Sequence, residues 1–159
     1  MLRIRQAVRA VLLTPASDVL LVRFEFPLRT VWALPGGGVE PDEDDLTALH
    51  RELGEELGLT DVELGPHVWS REHIIPHEDG LWDGQRDRFY LAPVGERFEP
   101  RPTLSWDELR AERLHEIRWW SLTEIEADDA TWFAPRRLGP LLRALVDEGP
   151  PAHPVETGV

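Results

Sequence analysis

The sequence predicts an α/β (α+β) fold in which a mixed β-sheet lies between helical layers. Apolar runs typical of strands alternate with two amphipathic helical segments, in the order β-β-β-helix-β-β-β-helix. Each helical segment has one apolar face to bury, which places the two helices against a sheet. The length of 159 residues suits one domain with its own core, which we place at residues 1–148.

The first three predicted strands precede a run of glycines. Residues 3–13 and 19–26 are rich in Val, Ile and Leu and are separated by turn residues, which predicts a hairpin. We expect a loop at residues 27–31 and a short strand at 32–34. The three glycines that follow allow positive φ and close approach of the backbone to a ligand, so they predict the wall of a site.

The rest of the chain continues the alternation. Strand-like pieces within residues 62–75 precede a turn-rich loop at 76–85, and residues 88–93 are predicted to pair antiparallel with the 67–75 segment. The remaining predictions are an exposed loop at 96–102, a short helix or ordered loop at 106–114, a strand at 115–122, a helix at 135–148 and a disordered tail at 149–159.

The acidic run at residues 42–45 should lie in the first turn of the first helix, because the free N–H groups at a helix start favour carboxylates. Gly58 is its predicted stop. Its apolar stripe consists of Leu46, Leu49, Leu53 and Leu57.

A second flank of this helix carries Glu52, Glu55 and Glu56, within an arc of roughly 100°. Like charges at these spacings repel, and a hard divalent cation relieves the repulsion because Mg²⁺ and Mn²⁺ prefer carboxylate oxygens. When the helix is taken alone, a solvated acidic face is the more common explanation of such a flank. The residues around it therefore decide the interpretation.

Nine positions in fixed register surround these glutamates. They are Gly37, Glu43, Arg51, Glu52, Leu53, Glu55, Glu56, Gly58 and Leu59. They match every position of the motif G-x5-E-x7-R-E-U-x-E-E-x-G-U, where U is aliphatic, and the chain thereby resembles the Nudix hydrolases. We call residues 37–59 the box. The resemblance implies a Nudix α/β/α sandwich, with a mixed sheet between helices, in a single Nudix hydrolase domain.

The resemblance also implies a reaction and its catalytic residues. The expected reaction is hydrolysis of a diphosphate linkage in a nucleoside diphosphate derivative, namely a nucleotide, a sugar nucleotide, ADP-ribose or a dinucleoside polyphosphate. Glu52, Glu55 and Glu56, with the carbonyl of Gly37, would hold Mg²⁺ or Mn²⁺, and a metal-bound water would attack phosphorus. Arg51 is expected to pair with a box glutamate and to orient it.

The general base and the substrate contacts stay open at this point. The base is either a box glutamate, Glu52 or Glu56, or an acid from a later segment. The later acids are Asp107, Glu108, Glu112 and Glu116. Arginines can bind phosphates and aromatic side chains can stack on a base, although strand aromatics more often belong to the core. Substrate contacts are accordingly predicted from Arg23, Arg71, Arg88 and Trp82, with Phe26, Trp69 and Tyr90 as further aromatic candidates.

The composition of the chain limits the classes of partner that it can bind. The formal net charge of −13 argues against a nucleic-acid partner, but a small phosphorylated substrate remains compatible because metal ions and arginines offset its charge. No apolar run approaches the roughly 18 residues of a membrane span. The count of 0 cysteines excludes a thiolate metal site and agrees with a cytoplasmic protein. The sequence is compatible with either a monomer or a homodimer.

Two other functions fit parts of this pattern. A catalytically silent Nudix module would bind a nucleotide as a sensor, but such modules usually lose box acids, and this chain retains them all. An isomerase acting on isoprenoid diphosphates would need a cysteine in its site, which the chain lacks.

Overall fold

The computed structural model describes residues 1–159 and contains nine strands and four helices. They are β1 (Ile4–Leu13), β2 (Asp18–Phe26), β3 (Arg29–Ala33), β4 (Gly36–Gly38), α1 (Asp45–Leu57), β5 (His67–His73), β6 (Gly84–Pro93), α2 (Trp106–Ala111), β7 (Leu114–Ser121), α3 (Leu122–Ala127), β8 (Phe133–Ala134), α4 (Leu138–Glu148) and β9 (Val155–Glu156).

The nine strands form one mixed sheet in the order β8-β3-β2-β1-β6-β5-β9, with β4 also paired to β1 and β7 also paired to β2. Strands β1 and β6 run parallel, from Ile4 opposite Gly84 to Leu13 opposite Pro93. The predicted β1–β2 hairpin holds only at its turn, where Leu13 lies opposite Val19. Beyond that point β1 pairs with β4 and β2 pairs with β7, so the sheet opens into two halves.

Helices cover both faces of this sheet, as the predicted α/β/α sandwich requires. Val11 and Leu21 face the side that packs with α3 and α4, whereas Leu12 and Leu20 face α1. All four side chains are fully buried, because strand residues alternate between faces and both faces carry a helix. The fold is therefore α+β with a curled mixed sheet, and the predicted fold class is confirmed.

Helix α1 begins at Asp45, so the first three acids of the run precede it instead of lying in its first turn. The side chain of Asp44 caps it by accepting from the backbone N–H of Thr47 at 2.8 Å, and Gly58 ends it in the left-handed conformation, with φ 67°. Leu46, predicted to belong to the apolar stripe, is 45% exposed. In this first turn the contact with the sheet is made by Asp45 instead, which binds β6 side chains.

Three segment boundaries differ from the sequence predictions. The predicted loop at 27–31 contains the start of β3, which pairs with β2 from Arg29 onwards. Strand β6 begins at Gly84 rather than at residue 88, because its first residues pair with β1 and β5. Helix α4 begins at Leu138 rather than at residue 135.

Two segments have structure that the sequence analysis does not predict. Ser121 and Glu124 form a capping box that begins α3 directly after β7. Residues 149–159, predicted to be disordered, contain β9, which pairs in parallel with β5. The buried Thr157 also donates its N–H to the carbonyl of Ser70 at 2.9 Å. None of the helices combines the length and apolar character that crossing a membrane requires.

Candidate active site

Strand β4 brings the glycine run against the box helix. It pairs antiparallel with β1, with Gly37 opposite Val8. A Cβ added at Gly37 would lie 2.5 Å from Cδ of Glu52, so this glutamate rests directly against the strand backbone. Gly36 has φ 145°, and a Cβ there would lie 2.0 Å from the carbonyl oxygen of Val8. Gly36 therefore requires glycine, whereas a Cβ at Gly37 would displace the carboxylate of Glu52.

Arg51 holds the acidic residues of the box in place. Its Nε and Nη2 donate to the two carboxylate oxygens of Glu43, each at 2.8 Å. Its Nη1 donates to Glu52 at 3.0 Å, and its Nη2 also donates to the carbonyl of Gly38 at 3.0 Å. The side chain of Glu55 lies 3.5 Å from Nη1. These hydrogen bonds to Arg51 lower the pKa of Glu43 to about 2.

Two box glutamates are buried next to each other. Glu52 is 8% exposed and Glu56 is 2% exposed, and the only hydrogen bond to the carboxylate of Glu56 comes from the N–H of Gly36, at 3.2 Å. Burial raises the pKa of both groups, and for Glu56 the charge of Glu52 adds to the effect. The site thus concentrates negative charge that the protein compensates only in part.

The donors around this pair suit a hard cation. Carboxylates of Glu52, Glu55 and Glu56 and the carbonyl of Gly37 are all oxygen ligands, which Mg²⁺ and Mn²⁺ prefer. A divalent ion would also relieve the repulsion between the buried carboxylates. The structure contains no group of three histidine or acidic side chains arranged to hold a metal ion. In this arrangement Arg51 binds Glu52 and contacts Glu55.

A buried acid that the sequence analysis missed lies beside the box. Asp87 is 2% exposed and accepts from Arg9 Nε at 3.1 Å, from Gln85 at 2.9 Å and from Arg71 Nη1 at 3.3 Å. The charges of Arg9 and Arg71 keep its pKa low despite its burial. Arg9 Nη1 also donates to the carbonyls of Leu34 and Gly36, each at 3.3 Å. Arg9 thereby links Asp87 to the backbone that leads into the glycine run.

The model of the NUDIX domain family matches residues 3–142. The chain belongs to the Nudix family. An RNA pyrophosphohydrolase of Helicobacter pylori (strain ATCC 700392 / 26695) is 29% identical over 97 residues, which cover 55% of this chain and 62% of that protein. The RNA pyrophosphohydrolase of Pelagibacter ubique (strain HTCC1062) is 38% identical over 100 residues, covering 57% and 61%. The chain thus spans about three fifths of the length of these curated relatives.

A solved structure extends the similarity to most of the chain. The crystal structure of a MutT NUDIX hydrolase from Burkholderia pseudomallei superposes with a TM-score of 0.58 at 27% identity, over 87% of this chain and 95% of that one.

The predicted substrate residues of this Nudix chain fall in different places. Arg71 lies beside the box, where it shares Asp87 with Arg9. Arg88 faces α1 instead, and its Nε and Nη2 bind the carboxylate of Asp45 at 2.5 and 2.6 Å. Arg23 pairs with Glu25 and Glu116. Trp82 lies partly exposed in the loop between β5 and β6, where its carbonyl accepts from the N–H of His77 at 3.0 Å.

Among the acids that follow the Nudix box, Glu112 has a pKa that is affected by the charge of a box glutamate. It ends α2, and burial followed by the charge of Glu55 raises its pKa. Glu116 instead binds Arg23 Nε at 3.0 Å on β7. The exposed Glu108 caps α2 with Ser105, and the exposed Asp107 pairs with Arg110 at 3.4 Å.

The arginine cluster beside the Nudix box was not visible in the sequence. We define it as Arg5, Arg9, Arg71, Gln85 and Asp87. Gln85 and Asp87 precede the residues predicted as a strand, so their alternation toward one face was not recognised. Polar residues at every second position of an extended β6 were the signal that could have identified the cluster.

Proposed function

We propose that this chain is a Nudix pyrophosphohydrolase, which uses a divalent metal ion to hydrolyse a diphosphate linkage in a nucleoside diphosphate derivative. One observation carries the proposal: Glu52 and Glu56 are buried together against Gly37 and Gly36, where their charge is compensated only in part. The curated relatives named RNA pyrophosphohydrolase support the type of reaction. The substrate would be a nucleotide, sugar nucleotide, ADP-ribose or dinucleoside polyphosphate.

Glu52, Glu55 and Glu56, with the carbonyl of Gly37, would hold Mg²⁺ or Mn²⁺. A bound divalent ion neutralises phosphoryl oxygens and lowers the pKa of water, so that hydroxide becomes available near neutral pH. Arg51 orients Glu52 through its 3.0 Å contact and is itself fixed by Glu43. This support keeps the ligand carboxylates in one geometry.

The attacking water must lose a proton, and three acids can accept it. Glu112 is our first choice because its raised pKa, caused by burial and Glu55, brings it closer to neutrality, where a general base is most effective. Glu52 and Glu56 are the alternatives within the box. The proton passes to a carboxylate oxygen as the water oxygen bonds to phosphorus and the bridging oxygen leaves with its electron pair.

We infer that residues 1–148 carry this activity as a single hydrolase domain whose partner is a small phosphorylated substrate. A phosphate-release screen tests the activity with dNTPs, ADP-ribose, sugar nucleotides and diadenosine polyphosphates, each with Mg²⁺ or Mn²⁺. Glu55→Gln and Glu56→Gln should abolish turnover, whereas Glu63→Gln, at an exposed position outside the box, should preserve it. Binding of nucleotides without any hydrolysis would contradict the enzyme and favour a nucleotide-binding sensor module.

A further inference from the structure

Arg5 is a partly buried arginine that lacks a carboxylate partner. Its Nη1 donates to Oε1 of Gln85 at 2.9 Å, and this acceptor is a neutral amide. Arg9 and Arg71, in the same cluster, are both paired with Asp87. A guanidinium offers five N–H donors, so most of those on Arg5 are available to another acceptor.

The guanidinium of Arg5 lies against the box. A Cβ added at Gly38 would lie 2.5 Å from Nη2 of Arg5, and the carbonyl of the same glycine accepts from Arg51. The negative charge of Glu52 is close enough to act on Arg5. Arg5 therefore lies at the edge of the place where the proposed reaction puts the phosphates of the substrate.

A chain of hydrogen bonds fixes the orientation of Arg5. Gln85 lies opposite Arg5 in the parallel register of β1 and β6 and is 7% exposed. Its Nε2 donates to Asp87 Oδ1 at 2.9 Å, which leaves Oε1 as the acceptor for Arg5. Because the amide is held at both ends, the guanidinium is positioned before any ligand arrives, and binding costs less side-chain entropy.

The cluster also has an excess of positive charge. The cluster contains three arginines and one carboxylate, that of Asp87, which binds Arg9 and Arg71, although the whole chain carries a net charge of −13. Burial, and then the charge of Arg9, lowers the pKa of Arg5, so an anion bound there would relieve an unfavourable environment. A phosphate group matches the planar guanidinium in charge and geometry.

We propose that Arg5 binds a phosphate group beyond the linkage that is hydrolysed, so that preferred substrates carry at least three consecutive phosphates. This inference rests on the proposed function and narrows its substrate class. Nucleoside triphosphates and dinucleoside polyphosphates offer the extra phosphate. ADP-ribose and sugar nucleotides place a neutral sugar there, which gains little from a guanidinium.

Two substrates that share an adenosine diphosphate moiety test the preference. We expect Arg5→Met to lower kcat/KM for diadenosine tetraphosphate about tenfold to a hundredfold, the range for loss of a charge-assisted hydrogen bond, and to change kcat/KM for ADP-ribose less than about threefold. Arg3→Met is the matched control, because Arg3 is exposed and already paired with Asp83. Equal losses for both substrates, or no loss for either, would overturn the proposal.

A binding measurement separates this inference from the proposed function. Titration calorimetry with non-hydrolysable methylene analogues of ADP and ATP should show tighter binding of the triphosphate, and Arg5→Met should remove that difference while Arg5→Lys retains part of it. Equal affinity for both analogues in the wild-type protein would overturn the subsite. Absence of hydrolysis with the triphosphate preference intact would overturn only the enzymatic function.

Discussion

Arg51 binds Glu43 through two parallel hydrogen bonds, from Nε and Nη2 to the two carboxylate oxygens, each 2.8 Å long. The same guanidinium donates to Glu52, which lies against Gly37. The pair therefore connects the segment before α1 to an acid of the site. Bidentate ion pairs of this kind fix the side-chain geometry more strongly than a single hydrogen bond does.

Glu43→Gln should lower the stability of the protein at neutral pH and make it less sensitive to acid. The pKa of Glu43 is about 2 in the fold against an ordinary value of 4.5, so its contribution is complete above 4.5 and is lost as the pH falls toward 2. Calorimetric Tm values should differ most at pH 6 and converge near pH 2. A Tm difference that stayed constant across this range would contradict the role of the ion pair, and Glu63→Gln serves as the exposed control.

Gly37→Ala should reduce turnover about a hundredfold, because a misplacement of about 1 Å near the reacting atoms costs this much. The added Cβ would lie 2.5 Å from Cδ of Glu52, so the carboxylate must move. Steady-state kinetics with a saturating divalent ion measure the loss, and circular dichroism checks the fold. Activity close to wild type would show that the position of Glu52 is not critical.

Gly54→Ala is the matched control and should stabilise the protein. Gly54 lies within α1, and a Cβ there meets nothing within 4 Å. Alanine in a helix interior is favoured over glycine by roughly 0.5–1 kcal/mol, which urea unfolding can resolve. Turnover should not change, since residue 54 is a free position of the box. A fall in stability would contradict the open space around this position.

The acidic helix was predictable because its chemistry is local. The spacing of Glu52, Glu55 and Glu56, the capping acids and the stop at Gly58 all lie within one continuous segment. Strands β1 and β2 were predictable for the same reason. Each is a continuous segment rich in apolar residues, which pack against both faces of the sheet.

The arginine cluster could not be predicted because it depends on register between distant strands. Gln85 meets Arg5 only through the parallel pairing of β1 with β6, and Arg71 joins through the antiparallel pairing of β5 with β6. The structure of residues 149–159 also depends on pairing with a distant strand. The five residues after Pro154 are too few to show a core pattern of their own, but the carbonyl of Ser70 offers a partner at the edge of β5.

Glu56→Gln should raise stability in the absence of divalent ions while abolishing turnover. Glu56 is 2% exposed, and burial raises its pKa well above the ordinary value. The amide has nearly the same shape and removes a poorly compensated buried charge, so we expect a gain of roughly 1–3 kcal/mol, comparable to the cost of burying a poorly compensated polar group. Urea unfolding in EDTA measures the change. A destabilised variant would show that Glu56 is well compensated by its surroundings.

Glu112→Gln should lower kcat about a hundredfold or more, as expected for the loss of a general base, with a smaller effect on KM. Glu112 ends α2 near Glu55, and burial raises its pKa, whereas Glu116 is engaged by Arg23 at 3.0 Å. Glu116→Gln is therefore the matched control and should retain most of the activity. The acidic limb of the pH–kcat profile should disappear in Glu112→Gln alone. Retention of this limb in Glu112→Gln, with normal kcat, would transfer the role of base to Glu52 or Glu56 within the box.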